Sequence, residues 1–257
     1  MIGGSHFTRI ADAQGVDAKT VERDYVLTHV LAAIAQQPAG HGVVFKGGTA
    51  LRLCYFEDYR YSADLDFSLL ADADPQRALD VVAVALEELT SRLELPHLAL
   101  TEDSKYVEYV GPLGKQRDLK LDVATDEIVE ETTTLPLLAR YPDQQDVQVS
   151  VYTLGEIAAE KLRCVIQRLQ ARDLFDLNEL FVVNALDVEE IWPVFERKAR
   201  HKSIDPTRFS KMFEQRMPQW KSRWESEMSE HLSGEPEPFK AVERHVRRAL
   251  RSKLRGS

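Results

Sequence analysis

Two carboxylates spaced two residues apart, Asp64 and Asp66, are the residues of this sequence whose spacing points most directly to chemistry. Their segment reads as a strand, and side chains two apart on a strand point to the same face. Leu65 and Phe67 then face the opposite way, into a core. Two carboxylates held this close repel each other unless a cation or a proton lies between them. Mg²⁺, a hard cation with oxygen ligands, is the usual partner of such a pair.

A pair of glycines lies one predicted strand upstream of these acids. The chain from Val43 predicts a short buried strand that breaks at Gly47 and Gly48. Backbone without a Cβ can approach a ligand closely, and N–H groups at a helix start bind anions. An acidic pair alone is more often a solvated surface feature, but the glycines favour phosphates bound by the turn and metal ions bound by the acids. Two such ions can stabilise the attacking and leaving oxygens of a nucleotidyl transfer.

A later segment, from Asp118 to Val123, offers a third carboxylate. Apolar and charged residues alternate strictly there, which predicts a strand with Asp118, Lys120 and Asp122 on one face. A carboxylate on a neighbouring strand can complete a metal site, and either acid could be that residue. The alternative interpretation is an edge strand with a wet charged face.

The motifs KGGTALRL and RYSADLDF closely resemble those of the AbiEii/MenT family of nucleotidyltransferases, the toxin components of type IV bacterial toxin–antitoxin systems. The wider superfamily of DNA polymerase β-like nucleotidyltransferases shares a Gly-Gly or Gly-Ser turn followed by D-x-D. Here 15 residues separate Gly48 from Asp64, more than in many superfamily members. The resemblance extends from about Asp17 to Leu180.

This resemblance implies a Mg²⁺ site, with Mn²⁺ as a substitute, and a nucleoside triphosphate (NTP) as substrate. Asp64 and Asp66 would bind the metal ions, and Asp122 matches the family's third acid better than its rival Asp118. Ser62 would border the phosphate site, and in this family that serine can accept phosphate when a partner silences the toxin. The other implied phosphate-binding residues are Lys46, Gly47, Gly48 and Thr49.

A third motif, E-K-L followed by R-D-x-x-D-L, also resembles the family. It implies that Lys161 is the cation that binds the triphosphate and neutralises charge in the transition state. It further implies a catalytic acid near the nucleotide or acceptor. Asp173 is the first choice for this acid, and Asp176 is the alternative because both lie on one helix face.

Relatives of the MenT type add nucleotides to the 3′ end of tRNA, which blocks aminoacylation and stops translation. The resemblance therefore implies transfer of a nucleoside monophosphate (NMP) to tRNA or another RNA, with pyrophosphate released, and an AbiEi-like antitoxin as partner. Two alternatives stay open: modification of a protein or a small molecule such as an antibiotic, and a non-catalytic scaffold that binds nucleotide or RNA. The intact motif set argues against the scaffold.

The composition is that of an ordinary globular protein: 257 residues, 44% hydrophobic and 29% charged, with a net charge of −9. No segment approaches the 18 uninterrupted apolar residues of a membrane span, and the N-terminus lacks a signal pattern. Cys54 and Cys164 have apolar neighbours and are read as buried reduced thiols. We expect a cytoplasmic monomer that does not contact membrane.

Charge is distributed unevenly along the chain. Residues 1–195 carry 17 Lys/Arg and 33 Asp/Glu, a balance of −16, whereas residues 196–223 and 240–257 are basic. An acidic N-terminal part followed by basic C-terminal stretches suits an enzyme that acts on RNA, although solvated surface helices can have the same composition. The candidate RNA-binding residues on the last predicted helix are Arg244, Arg247, Arg248 and Arg251.

The elements that must position these residues divide into two predicted domains. Residues 1–152 are expected to form an α/β domain, and residues 153–257 an all-helical one. The resemblance makes the first a mixed sheet of the polymerase β type with flanking helices. The predicted strands are 43–45, 64–67, 97–101, 106–110, 119–124 and 146–151.

Four further expectations concern local structure. Residues 1–16 are expected to be loosely structured, and residues 126–142 to form a loop. A helix capped by Asp17 should expose its charged residues 22–24 and end at Pro38 and Gly40. In the second domain, 206–217 and 220–232 are expected to be separate helices.

Overall fold

The computed structural model of the protein describes residues 2–37 and 42–254. The chain forms two compact units, which we call the sheet unit and the helical unit. The sheet unit comprises Met1–Asp126 and Thr132–Tyr152, and the helical unit comprises Glu127–Glu131 and Thr153–Ser257. Within the described ranges, no helix combines the length and the apolar character needed to cross a membrane.

A seven-stranded mixed sheet organises the sheet unit. Its strand order is β3-β4-β5-β2-β1-β7-β6, and the β2–β5 and β1–β7 pairs are parallel while the other pairs are antiparallel. This mixed sheet with flanking helices confirms the predicted fold class. The strands are β1 (Val43–Lys46), β2 (Asp64–Leu69), β3 (His97–Leu100), β4 (Tyr106–Val110), β5 (Gln116–Ala124), β6 (Thr132–Pro136) and β7 (Gln148–Tyr152).

Helices flank the sheet. Helix α2 packs against both α1 and α4, and Asp17 caps it by accepting a hydrogen bond from the Lys19 N–H, as predicted. The end predicted for this helix, at Pro38 and Gly40, lies outside the described residues. The helices of this unit are α1 (Gly4–Gln14), α2 (Ala18–Ala35), the short α3 (Gly47–Ala50), which continues as a π-helical turn over Leu51–Tyr55, and α4 (Pro75–Leu93).

The N-terminal part of the chain is more ordered than predicted. The segment expected to be loose contains α1, which buries Phe7 and Ala11. The prediction that residues 22–24 lie on an exposed face was wrong for two of them, because Glu22 and Asp24 are 0% and 1% exposed. Each buried carboxylate accepts hydrogen bonds from an arginine that lies far away in the sequence, so local periodicity could not reveal it.

The loop predicted over residues 126–142 contains strand β6. Three consecutive threonines favour a strand because they are β-branched. The strand lies at the edge of the sheet, where the missing N–H of Pro136 breaks no ladder. Reading the prolines as loop signals was therefore wrong at this position.

The helical unit is built from six helices in its described part. One helix, α8, covers the two that were predicted separately, since Pro218 lies inside it without ending it. A 3₁₀ turn at Pro206–Arg208 precedes it. The helices are α5 (Leu154–Gln167), α6 (Ala171–Asn178, followed by a π-helical turn over Glu179–Val183), α7 (Val188–His201), α8 (Phe209–Ser229), α9 (Phe239–Ala249) and α10 (Arg251–Leu254).

Candidate active site

The strand register places three of the predicted site residues side by side. Lys46 on β1 pairs with Asp66 on β2, and Asp66 pairs with Asp122 on β5. Residues paired across neighbouring strands project from the same face, with the strands about 4.8 Å apart. We call this set the carboxylate row. It contains two adjacent acids flanked by a buried lysine.

A second row lies two residues away along β2. Asp64 pairs with Lys120 on β5, and Lys120 pairs with Tyr106 on β4. Because the side-chain period of a strand is two, this row shares the face of the carboxylate row. Asp118, the rival third acid, pairs with Glu108 and so lies beside neither Asp64 nor Asp66. Strand β5 is an interior strand, and the edge-strand interpretation was wrong.

The two glycines lie directly against charged side chains. A Cβ on Gly47 would meet the Asp66 Oδ2 at 2.6 Å, and the φ of Gly47 is +79°, which a side chain would strain. A Cβ on Gly48 would lie 2.4 Å from the Nη2 of Arg60. Gly47 is therefore required by its backbone conformation, and Gly48 lets Arg60 lie directly against the turn.

Thr49 and Ser62 lie next to these glycines and acids. The Thr49 hydroxyl donates a hydrogen bond of 2.5 Å to the backbone carbonyl of Asp64. This bond ties the start of the helix that follows β1 to the start of β2. Ser62 is half-buried in the extended segment that leads into β2.

The donor set of the carboxylate row fits a hard divalent cation. Within the described ranges, no group of three or more His, Cys, Asp or Glu side chains is arranged to hold a metal ion by itself. Mg²⁺ is commonly bound through one or two carboxylates, with substrate phosphates and water supplying the other ligands. The space that the missing Cβ of Gly47 leaves beside Asp66 is compatible with such a shared site.

Lys161 and the candidate acids of the third motif form a compact cluster inside the helical unit. The Lys161 Nζ lies 2.6 Å from Asp176 and 3.5 Å from Asp173. Arg168 donates two hydrogen bonds to Asp173, at 2.9 and 3.0 Å. We call these four residues the lysine cluster. Lys161 is 5% exposed and both aspartates are 0% exposed, so the charges satisfy each other away from water.

This pairing affects protonation in the lysine cluster and beside it. The pKa of Arg168 is raised. Burial works against its charged form, but the hydrogen bonds to Asp173 outweigh this effect, and the nearby Cys164 adds to the rise through its charge. Burial, together with the nearby negative charge of Asp173, raises the pKa of the Cys164 thiol to about 11. Cys164 and Cys54 are both free thiols, as predicted.

The candidate RNA-binding arginines differ from one another in their contacts. Arg244, Arg248 and Arg251 are exposed. Arg247 instead donates hydrogen bonds to Glu214 and Glu243 and lies over the ring of Phe213. Val242, Val246 and Leu250 form the buried side of this segment.

Sequence reasoning missed two arginines near the acids. Arg60, 2% exposed, lies against Gly48, and only its place in the motif RYSADLDF could have singled it out. Arg23, on α2, lines a cavity together with Asp64. Residues 22–25 resemble the opening helix of the family, but their charges were expected on an exposed face, and the fold brings Arg23 to this place from a separate helix.

Comparison with solved structures defines the class of the fold. MenT4, a nucleotidyltransferase toxin from Mycobacterium tuberculosis H37Rv, is similar with a TM-score of 0.74 and 20% sequence identity, over 100% of this chain and 91% of that chain. The fold is thus that of a nucleotidyltransferase. An antigenic nucleotidyltransferase-like protein from Paracoccidioides brasiliensis matches with a TM-score of 0.40 and 16% identity, over 69% of this chain and 90% of that chain. No curated protein matches the chain.

The family follows from the sequence. The profile described as "Nucleotidyl transferase AbiEii toxin, Type IV TA system" matches residues 29–252. The chain belongs to this family of nucleotidyltransferase toxins, which confirms the resemblance first seen in its motifs. Membership in a toxin–antitoxin system implies an antitoxin partner.

Proposed function

We propose that the protein is a Mg²⁺-dependent enzyme that transfers NMP from an NTP to RNA, at the 3′ end of tRNA, and thereby blocks translation. The observation that carries this proposal is the carboxylate row beside Gly47. It combines adjacent acids, a neighbouring lysine and backbone free of a side chain. Such a set is suited to phosphoryl chemistry, where positioning and charge stabilisation supply most of the catalysis.

Asp64, Asp66 and Asp122 would hold the metal, which when bound polarises the phosphate and activates the acceptor hydroxyl. The turn at Gly47 and Gly48 would bind the outgoing phosphates. Lys46 contributes positive charge beside Asp66, where negative charge is otherwise concentrated. Arg60, packed against the turn, is placed to add to this field.

The remaining site assignments rest on the resemblance. Lys161 is proposed to bind the triphosphate, although its charge is already matched by the carboxylates of the lysine cluster. Asp173 stays the first choice for the additional acid, with Asp176, which lies closer to Lys161, as the alternative. Ser62 is proposed as the position at which an AbiEi-like antitoxin system could act by phosphorylation.

Exposed basic residues support an RNA acceptor. Arg244, Arg248 and Arg251 offer positive charge to water in a chain whose first 195 residues have a balance of −16. Binding through phosphate contacts would weaken steeply with ionic strength. Modification of a small molecule would lack this salt dependence.

The test is incubation of the purified full chain with total RNA, Mg²⁺ and each of the four α-labelled NTPs in turn. A labelled band of tRNA size, absent with Asp66→Ala, is the expected result, and the reactive NTP is identified by the same gel. Label on protein bands would instead indicate a protein-modifying enzyme. Toxicity that persisted in cells expressing Asp66→Ala would contradict the catalytic proposal.

A further inference from the structure

A cavity of about 490 Å³ lies over the second row, beside Asp64. Three cations line it, from helix α2 and strand β5, together with two carboxylates. The cavity therefore brings several positively charged side chains together within the acidic first 195 residues of the chain. Its lining includes Arg23, Asp64, Tyr106, Arg117, Asp118 and Lys120.

Two of these cations have no partner among residues 2–37 and 42–254. Arg23 is half-buried, its Nε is shielded from water, and its guanidinium makes no hydrogen bond or ion pair with a described residue. Lys120 is exposed and likewise unpaired within these ranges. Arg117, by contrast, is held by Glu22 at 2.9 Å. An unpaired guanidinium and an unpaired ammonium on the wall of one cavity leave positive charge for an anionic ligand to match.

The position of the cavity indicates which ligand this is. In the strand order β4-β5-β2-β1, the turn at Gly47 follows β1, whereas the cavity is lined from β2, β5 and β4. The glycine turn and the cavity, both suited to binding anions, therefore lie on opposite sides of the acids. In a phosphoryl transfer the attacking and leaving oxygens lie roughly in line on opposite sides of phosphorus. If the turn binds the leaving pyrophosphate, the opposite side receives the attacking acceptor.

We propose that this cavity binds the 3′-terminal sugar–phosphate backbone of a single-stranded RNA acceptor through Arg23 and Lys120. Tyr106, 39% exposed and next to Lys120 in the second row, provides a surface on which a terminal base stacks. This inference rests on the proposed function, because it assigns the acceptor of the same site. Arg23, Lys120 and Tyr106 would then bind the acceptor, while the turn at Gly47 and Gly48 would bind the phosphates of the NTP.

The test compares Arg23→Gln, Lys120→Gln and Tyr106→Ala with Arg77→Gln in the full chain. Arg77 is an exposed arginine of α4 that does not line the cavity, so its variant makes the same charge change elsewhere. Binding of a short 5′-fluorescein-labelled RNA with a free 3′ hydroxyl is measured by anisotropy between about 50 and 200 mM salt. Thermal melting of each variant monitors folding.

We expect Arg23→Gln and Lys120→Gln each to weaken RNA binding about fivefold or more and to lower the salt slope by about one. Tyr106→Ala should weaken it about tenfold, and Arg77→Gln should stay within about twofold of wild type. In steady-state assays the acceptor KM should rise while the NTP KM stays constant. Unchanged RNA affinity, or a rise in the NTP KM alone, would overturn the inference.

The outcomes also separate this inference from the proposed function. Wild-type protein that labels RNA, together with an Arg23→Gln variant that labels it equally well, would reject the acceptor subsite and leave the proposed function standing. Wild-type protein that labels only protein, and binds no RNA, would reject both.

Discussion

The two charged clusters of this protein contrast in how their charges are matched. In the lysine cluster every charge is paired inside the helical unit, and Lys161, Asp173 and Asp176 are buried while Arg168 reaches the surface. On the sheet face, Asp122 is exposed and Arg23 is half-buried, and neither has an ion-pair partner among the described residues. The charges of the lysine cluster are already matched within the protein, whereas adjacent acids beside unpaired cations leave charge for a ligand to match. A substrate that uses Lys161 must therefore compete with Asp173 and Asp176, while one that binds the sheet face meets unmatched charge.

The largest effect is expected from the acids of the sheet face. Asp122→Asn should lower NMP transfer by about 10²–10³-fold, because it removes the carboxylate next to Asp66. Asp118→Asn tests the rival acid on the same strand face; Asp118 lines the cavity beside Asp64, but its loss should change the transfer rate at saturating RNA by about threefold or less. Labelled-NTP transfer rates, with melting curves to monitor folding, provide the measurement. Equal losses of transfer rate in both variants would mean that adjacency to Asp66 does not decide which acid is the third metal ligand.

Removal of the Lys161 ammonium group tests whether the paired charges of the lysine cluster stabilise the fold. Lys161→Met should lower the free energy of unfolding by about 3–5 kcal/mol, since the buried Asp176 loses the lysine at 2.6 Å while Asp173 keeps Arg168. Lys211→Met, at an exposed lysine of α8, should change it by about 0.5 kcal/mol or less. Urea titration measures both. A stable Lys161→Met variant that no longer transfers NMP would instead make this lysine a substrate-binding group.

A buried histidine in the sheet unit extends the comparison to pH. Burial lowers the pKa of His29 from 6.5 to about 4, although Asp143, 3.5 Å away, works in the opposite direction. Between these pH values the unfolded chain binds a proton that the folded chain does not. The free energy of unfolding should therefore fall as the pH drops from 6.5 to 4, by up to about 3 kcal/mol.

Urea midpoints measured across this window in wild type and His29→Gln test the prediction. The variant lacks the titrating imidazole, so its midpoint should depend less steeply on pH. Parallel curves for the two proteins would show that His29 is not the group responsible.

The smallest effect is expected at the surface pair of Arg247 with Glu214 and Glu243. Arg247→Ala should cost about 0.5–1 kcal/mol of stability, because exposed ion pairs contribute little. Its effect on RNA affinity should be smaller than that of Arg248→Ala, whose side chain is exposed. Fluorescence anisotropy with labelled RNA compares the two. A larger loss of affinity for Arg247→Ala would indicate that its ion pairs open on binding.

Local patterns in the sequence predicted the elements that carry the motifs, but not the pairing between distant residues. Alternation was sufficient to predict β2 and β5, while the adjacency of Asp66 and Asp122 follows from the strand order. The burial of Glu22 could not be predicted, since its partner Arg117 lies 95 residues away. Strand β6 was missed because threonine and proline also occur in loops. Arg23 lies in a segment that resembles the family's opening helix, but only the fold places it beside Asp64.

The hydrogen bond from the Thr49 hydroxyl to the Asp64 carbonyl joins the two ends of the segment between the glycine turn and the acids, which we call the excursion. Together with the antiparallel pairing of β1 and β2, it fixes both ends of that excursion independently of its length. Leu51, Leu53 and Arg60 within this segment are buried, so most of it belongs to the core. Its exposed residues Glu57 and Asp58 can change and acquire new surface contacts while the two halves of the site keep their separation.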